Sequence, residues 1–226
     1  EWAFPGTEPP PEPRLTFGNW VGGDRDGHAG VTTEVTVRTL ETFREAALRL
    51  WREHLEQAAA RLSLAELLQA PPPALVEAIE QGAAMIPDRP DVLARNPEEP
   101  WRRMLNIMLA RLPAKPPAPY HYRRAEELQA DLAMLAASLE EVGARRLAEA
   151  EVRPLERMAA TFGFHLASLD IRQNSAFHDR ALAQLLAAAG LDGADYPEWS
   201  EERRRKLLDR ELSSPRPFAV GSAYLP

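Results

Sequence analysis

Two short segments hold residue types that could do chemistry. Gly22-Gly23-Asp24-Arg25-Asp26-Gly27 packs three charges of alternating sign between glycines, residues free to adopt backbone conformations closed to others. Asp24 and Asp26, two apart, suggest a calcium loop, but Ala29 at the sixth position and Val35 at the twelfth break the EF-hand pattern. Two readings stay open: a functional loop, or a charged turn whose Asp and Arg side chains ion-pair internally and cap neighbouring helices. The second segment is Leu169-Asp170-Ile171-Arg172-Gln173, where alternation puts Leu169 and Ile171 on one face and Ser168, Asp170 and Arg172 on the other. Asp170 is placed to orient Arg172. An arginine ending a parallel strand presents a planar fork that matches carboxylate or phosphate, and a structural ion pair is the competing reading.

Composition limits what those segments can serve. The 226 residues are 45% hydrophobic, enough for a real core. With 27 Lys and Arg against 34 Asp and Glu, the net charge of -7 and the lack of a basic block argue against a nucleic-acid partner. There is no cysteine, which excludes disulfides and thiolate chemistry and fits a cytoplasmic protein. No apolar run approaches the roughly 20 residues that cross a bilayer, so no membrane association is expected. His28, His54, His121, His165 and His178 show no metal-ligand spacing, and no metal site is assigned. Trp51, Trp101 and Trp199 read as packing residues, whereas Trp20 abuts the glycine-rich loop.

The elements that must position these segments are mostly helical. Residues 1–14 are a proline-rich extended stretch, and 15–226 form the body. Within it, 15–31 reads as a strand (15–21) plus the glycine loop, 32–163 as a helical region, and 164–226 as a strand (166–172) plus C-terminal helices. Leu40, Phe43, Ala47, Leu50, Trp51, Leu55, Ala58 and Leu62 predict a helix from Thr32, its cap, to about Leu62. Prolines 71–73 open a second helix, 87–100 is a loop, and 101–112 is a third helix. Proline-dense 113–119 is the likeliest linker or mobile loop. Leu128, Leu132, Leu135, Leu139 and Val142 make an apolar stripe closed by Gly143, and Pro154 must kink or restart the helix that follows. One helix ends at Gly190, and another, capped by Ser200, runs to Leu212 before Pro215 and Pro217. The strands are non-adjacent, so their pairing partners are expected outside this chain. Both ends read as cut from something longer.

Phe17-Gly18-Asn19-Trp20-Val21 with the glycine loop and Val31-Thr32 resembles a signature of the phosphoenolpyruvate carboxylase family, F-x-x-W-x-G-G-D-R-D-G-N-P-x-V-T. Downstream, Asp170-Ile171-Arg172-Gln173 with Ser175 and His178 resembles that family's D-I-R-Q-E-S-x-x-H segment, and Tyr196 through Pro217 continues the likeness. His28, Ala29, Gly30 and Asn174 depart from the pattern. The family's T-A-H-P-T catalytic histidine and its H-G-R-G-G loop are not in the chain.

The resemblance implies a mostly α fragment with two short β-strands, part of a TIM-like (β/α) barrel with extensive helical insertions. It implies a cytoplasmic, homo-oligomeric, magnesium-dependent enzyme joining bicarbonate to phosphoenolpyruvate, with oxaloacetate and phosphate as products. By position, Arg172 matches an arginine that contacts the substrate phosphate, and Trp20 a tryptophan that walls the bicarbonate pocket. Gly22, Gly23, Asp24, Arg25, Asp26, Gly27 and Asp170 match supporting positions. Catalytic residues and metal ligands are expected outside this chain, which alone should not turn over. The alternative is a stand-alone helical interaction or regulatory module descended from the enzyme.

Overall fold

The computed structural model describes residues 15–215; the expected proline-rich segment 1–14 and the stop at Pro217 lie outside them. The chain divides into two compact units, Glu1–Asn19 with Val37–Leu169, and Trp20–Thr36 with Asp170–Pro226. The proline-dense stretch 113–119 falls inside the first unit.

The described residues are mostly helical. Helix α1 (Thr33–Arg61) follows the predicted span, with the Val35 N–H donating to the Thr32 hydroxyl at 3.4 Å as an N-cap requires. Its stripe buries Ala47, Trp51, Leu55 and Ala58, and Leu62 just beyond it, whereas Leu40 stays exposed. In the first unit, α2 (Pro73–Met85) starts on the expected proline and buries Leu75 and Ile79. Where a plain loop is predicted, Pro90–Leu93 makes a single turn, α3, because Pro90 supplies a preset φ at a helix start. Helix α4 (Pro100–Arg111) buries Trp101, Met104, Leu105 and Met108. Gly82 of α2 faces Ile107 of α4 so closely that a β-carbon there would meet its side chain at 2.8 Å.

Helix α5 (Ala125–Glu141) buries the predicted leucines. Trp101 donates to the Ser138 hydroxyl at 3.0 Å and Ser138 donates to the Leu135 carbonyl, so the one polar group on each buried residue is satisfied. Gly143, at φ +78°, closes α5, with the Ala144 N–H reaching back to the Leu139 carbonyl. After the short turn α6 (Arg145–Leu147), a π-helical stretch, Ala148–Val152, leads into α7 (Arg153–Phe162). Pro154 thus restarts the helix, as its missing N–H demands.

The strands contain the main correction. β1 (Gly18–Asn19) and β2 (Ser168–Leu169) are two residues each and pair directly with one another, parallel, Gly18 opposite Ser168 and Asn19 opposite Leu169. A long helical crossover between them allows the parallel pairing that adjacency in sequence would not. β2 is shorter than predicted because Leu166 adopts φ +68° in a turn closed by its N–H on the Phe162 carbonyl.

The second unit has its own small apolar cluster of Leu186, Tyr196 and Leu207. Helix α8 (Ser175–Ala188) ends at Gly190 (φ +72°), and α9 (Glu201–Leu212) is capped by Ser200, which accepts the Arg203 N–H.

Candidate functional site

The predicted site residues lie in the second unit. The chain leaves β1 into a tight turn: the Trp20 carbonyl accepts the N–H groups of Gly23 at 2.8 Å and Asp24 at 3.0 Å. Gly22 sits at φ +85°, a conformation that a side chain strains, so the glycine is required for the turn. The chain leaves β2 into Asp170–Arg172, and the two segments then join. Asp24 and Arg172 form a parallel bridge, with the Arg25 N–H donating to the Arg172 carbonyl at 2.8 Å and the Arg172 N–H to the Gly23 carbonyl at 3.1 Å. Residues far apart in sequence are thereby held by backbone bonds, with no dependence on side-chain packing.

Side chains add to this join. Arg172 Nη1 lies 3.3 Å from Asp24 Oδ2, and the Asp24 Oδ1 atom accepts the Asp26 N–H at 3.1 Å. Asp24 therefore fixes its own turn with one oxygen and orients Arg172 with the other. The sequence reading gives that orienting role to Asp170; the carboxylate that pairs with Arg172 is Asp24, because the bridge sets the two side by side. The Arg172 side chain remains 58% exposed, so most of its fork is open to solvent. Trp20 is 59% exposed.

Arg25 turns inward. Its Nη2 donates to the Thr36 hydroxyl at 3.0 Å, and that hydroxyl lies 2.8 Å from the Gly22 carbonyl and 3.2 Å from the Thr32 carbonyl. Thr36 is buried and ties the glycine loop to the first turn of α1. Sequence reasoning missed it; a threonine one turn after the Thr32 cap and one turn before Leu40, on the face of the apolar stripe, is the signal. Asn174, a departure from the family pattern, caps α8 by accepting the Ala176 N–H at 2.9 Å. His28 accepts the Gly30 N–H through Nδ1 at 3.2 Å and so shapes the turn where the family has Asn-Pro. No group of three or more His, Asp or Glu side chains among the described residues could hold a metal ion. Nor is any helix among them long and apolar enough to cross a membrane.

Comparison with known proteins decides what the join belongs to. Residues 1–224 match the family described as phosphoenolpyruvate carboxylase. The chain belongs to the phosphoenolpyruvate carboxylase family. Among curated relatives of that name, the protein from Aromatoleum aromaticum is 39% identical over 218 residues, covering 91% of this chain and 23% of its own length. Those from Rhodopseudomonas palustris (37%, 91% of this chain, 22% of the relative) and Roseiflexus castenholzii (36%, 96% and 24%) agree. The chain thus spans about a quarter of the length of these carboxylases.

Proposed function

We propose that this chain is the part of a phosphoenolpyruvate carboxylase that grips the substrate phosphate, and that the longer protein carboxylates phosphoenolpyruvate with bicarbonate. The observation that supports this best is the Asp24–Arg172 join, which brings together the two segments that match the family's signatures.

In the proposed reaction a bicarbonate oxygen attacks phosphorus and the bond from phosphorus to the enol oxygen breaks, giving carboxyphosphate and an enolate. Carboxyphosphate then releases carbon dioxide and phosphate, and the terminal enolate carbon attacks carbon dioxide to form oxaloacetate. Arg172 holds the phosphoryl oxygens with its planar guanidinium fork, and Asp24 keeps the fork from swinging away. Trp20 covers the labile intermediates and excludes water from them. Gly22, Gly23, Arg25, Asp26 and Gly27 shape the loop, and Asp170 begins the segment that delivers Arg172.

In this reading the magnesium would be held by residues of the longer protein and would stabilise charge on the phosphoryl and enolate oxygens. The same reading places β1 and β2 in a TIM-like barrel completed by the remaining length. There, loops after the strands would line the mouth in which substrates sit. It also makes the longer protein a cytoplasmic homo-oligomer.

The test is Arg172→Ala in the longer enzyme. Loss of a charge-assisted contact of about 1.5–3 kcal/mol lowers kcat/KM for phosphoenolpyruvate roughly tenfold to a hundredfold. Unchanged kinetics would remove Arg172 from the site.

A further inference from the structure

Arg172 is held by three consecutive residues of the second unit. The Gly23 carbonyl accepts its N–H, the Arg25 N–H donates to its carbonyl, and the Asp24 carboxylate pairs with its guanidinium. The ion pair alone is a weak restraint, because the Arg172 and Asp24 side chains are 58% and 31% exposed and water screens the attraction. Arg172 is therefore aimed mainly by the backbone of residues 23–25, which must itself be fixed.

One buried hydroxyl fixes it from both flanks. Thr36 is 7% exposed, and its Oγ1 accepts Arg25 Nη2 at 3.0 Å and lies 2.8 Å from the Gly22 carbonyl. A hydroxyl has a single proton to give, and the Gly22 carbonyl is nearer than the Thr32 carbonyl at 3.2 Å, so the donated bond goes to Gly22. The Gly22–Gly23 peptide is then held at both polar ends, its carbonyl on Thr36 and its N–H on the Trp20 carbonyl at 2.8 Å. Because the peptide is planar, it cannot turn without losing one of these bonds. The next carbonyl along, that of Gly23, is the one that receives Arg172.

On the other flank, Arg25 has its backbone N–H on Arg172 and its side chain on Thr36. Its Nε is buried with no hydrogen-bond partner among the described residues, which puts the weight of anchoring that side chain on the Nη2–Thr36 bond. Thr36 thus acts through Gly22 and Arg25 and not on a ligand: it is buried, while the guanidinium it serves is open to solvent.

We propose that Thr36 is a positioning residue for the grip on the substrate phosphate, its hydroxyl setting the backbone of residues 22–25 that aims Arg172. This rests on the reading that Arg172 holds the phosphate of phosphoenolpyruvate, and steady-state kinetics of the longer enzyme separate the two. In Thr36→Val the KM for phosphoenolpyruvate rises about tenfold while the KM for bicarbonate stays near that of the parent, and Thr36→Ser restores the parent value. Loss of folded enzyme lowers kcat and leaves both KM values where they were, so a purely structural role does not give this split. Arg25→Met removes the other partner of the hydroxyl and raises the same KM, which supplies the test should Thr36→Val not fold. Added to Arg172→Ala, Thr36→Val costs less than about threefold more in kcat/KM, since a residue that acts through Arg172 then has nothing left to position. Parental KM values in Thr36→Val and Arg25→Met beside an impaired Arg172→Ala overturn this proposal and leave the role of Arg172 standing; parental kinetics in Arg172→Ala bring down both. A defect that Thr36→Ser does not reverse, or a further loss of about tenfold on top of Arg172→Ala, also overturns it.

Discussion

The two units are held together by different physics. The first buries a continuous apolar cluster that includes Trp51, Trp101, Leu105, Met108, Leu128, Leu132 and Leu135. Among the described residues the second has a buried apolar cluster of just Leu186, Tyr196 and Leu207, and its glycine loop is fixed by backbone bonds and by the hydroxyl of Thr36. A large core resists any single polar loss. A small one leaves the loop dependent on individual hydrogen bonds. The difference teaches that the candidate site should soften long before the helical unit does.

The largest expected effect tests the first half of that contrast. Trp101→Ala removes a fully buried ring together with the N–H that the Ser138 hydroxyl accepts. Such truncations cost about 3–5 kcal/mol, a large share of a domain's total stability. Thermal unfolding followed by circular dichroism should shift down sharply, and an unshifted transition would show that the helical cluster is not what sustains the unit.

A smaller effect tests the second half. Thr36→Val keeps the shape but leaves the Arg25 guanidinium and the Gly22 carbonyl short of a partner, beside an Arg25 Nε that already has none among the described residues. An unmet buried polar group costs about 1–3 kcal/mol. Amide exchange at Gly23, Asp24 and Arg25 should accelerate in Thr36→Val and recover in Thr36→Ser, while exchange in α4 and α5 stays as it was. Equal acceleration in all three regions would erase the distinction between the units.

How much of this was readable beforehand follows the same division. Helix periodicity reports burial on one face, so the stripe through Leu128, Leu132, Leu135 and Leu139 and the restart at Pro154 were legible as sequence. The strands were legible in place, within 15–21 and 166–172, but their length and their pairing were not. Each is two residues long, and what defines them is pairing between positions far apart in the chain, which no local pattern encodes. The arginine and the glycine loop were legible as types, and Gly22 as a turn residue. Their join was not: Asp170, two residues from Arg172, is the nearer carboxylate in sequence, whereas Asp24 is the one across the bridge. Asn174 shows the reverse case, an apparent departure that serves as a helix cap.

The smallest expected effect concerns acid. Asp195 is exposed, and its Oδ1 accepts the Trp199 indole N–H at 2.7 Å while its Oδ2 lies 3.4 Å from Arg203. The indole hydrogen bond above all, with its own backbone and the Arg203 charge, holds this carboxyl below the ordinary aspartate range against the opposing push of desolvation. A carboxyl depressed on folding contributes stability that is present above its unfolded pKa and is lost as pH falls through its folded value. The Asp195 contribution should therefore be intact above about pH 4 and fade below it. Arg203 also stacks over the Trp199 ring at 3.7 Å, an attraction that acid leaves in place, so the loss is partial. Amide exchange of residues 201–212 against pH should show a mild acid limb in the parent chain that flattens in Asp195→Asn. Superimposable pH profiles would mean that the α9 end of the second unit is held by Leu207 and Tyr196 alone, and that its polar contacts matter only around the glycine loop.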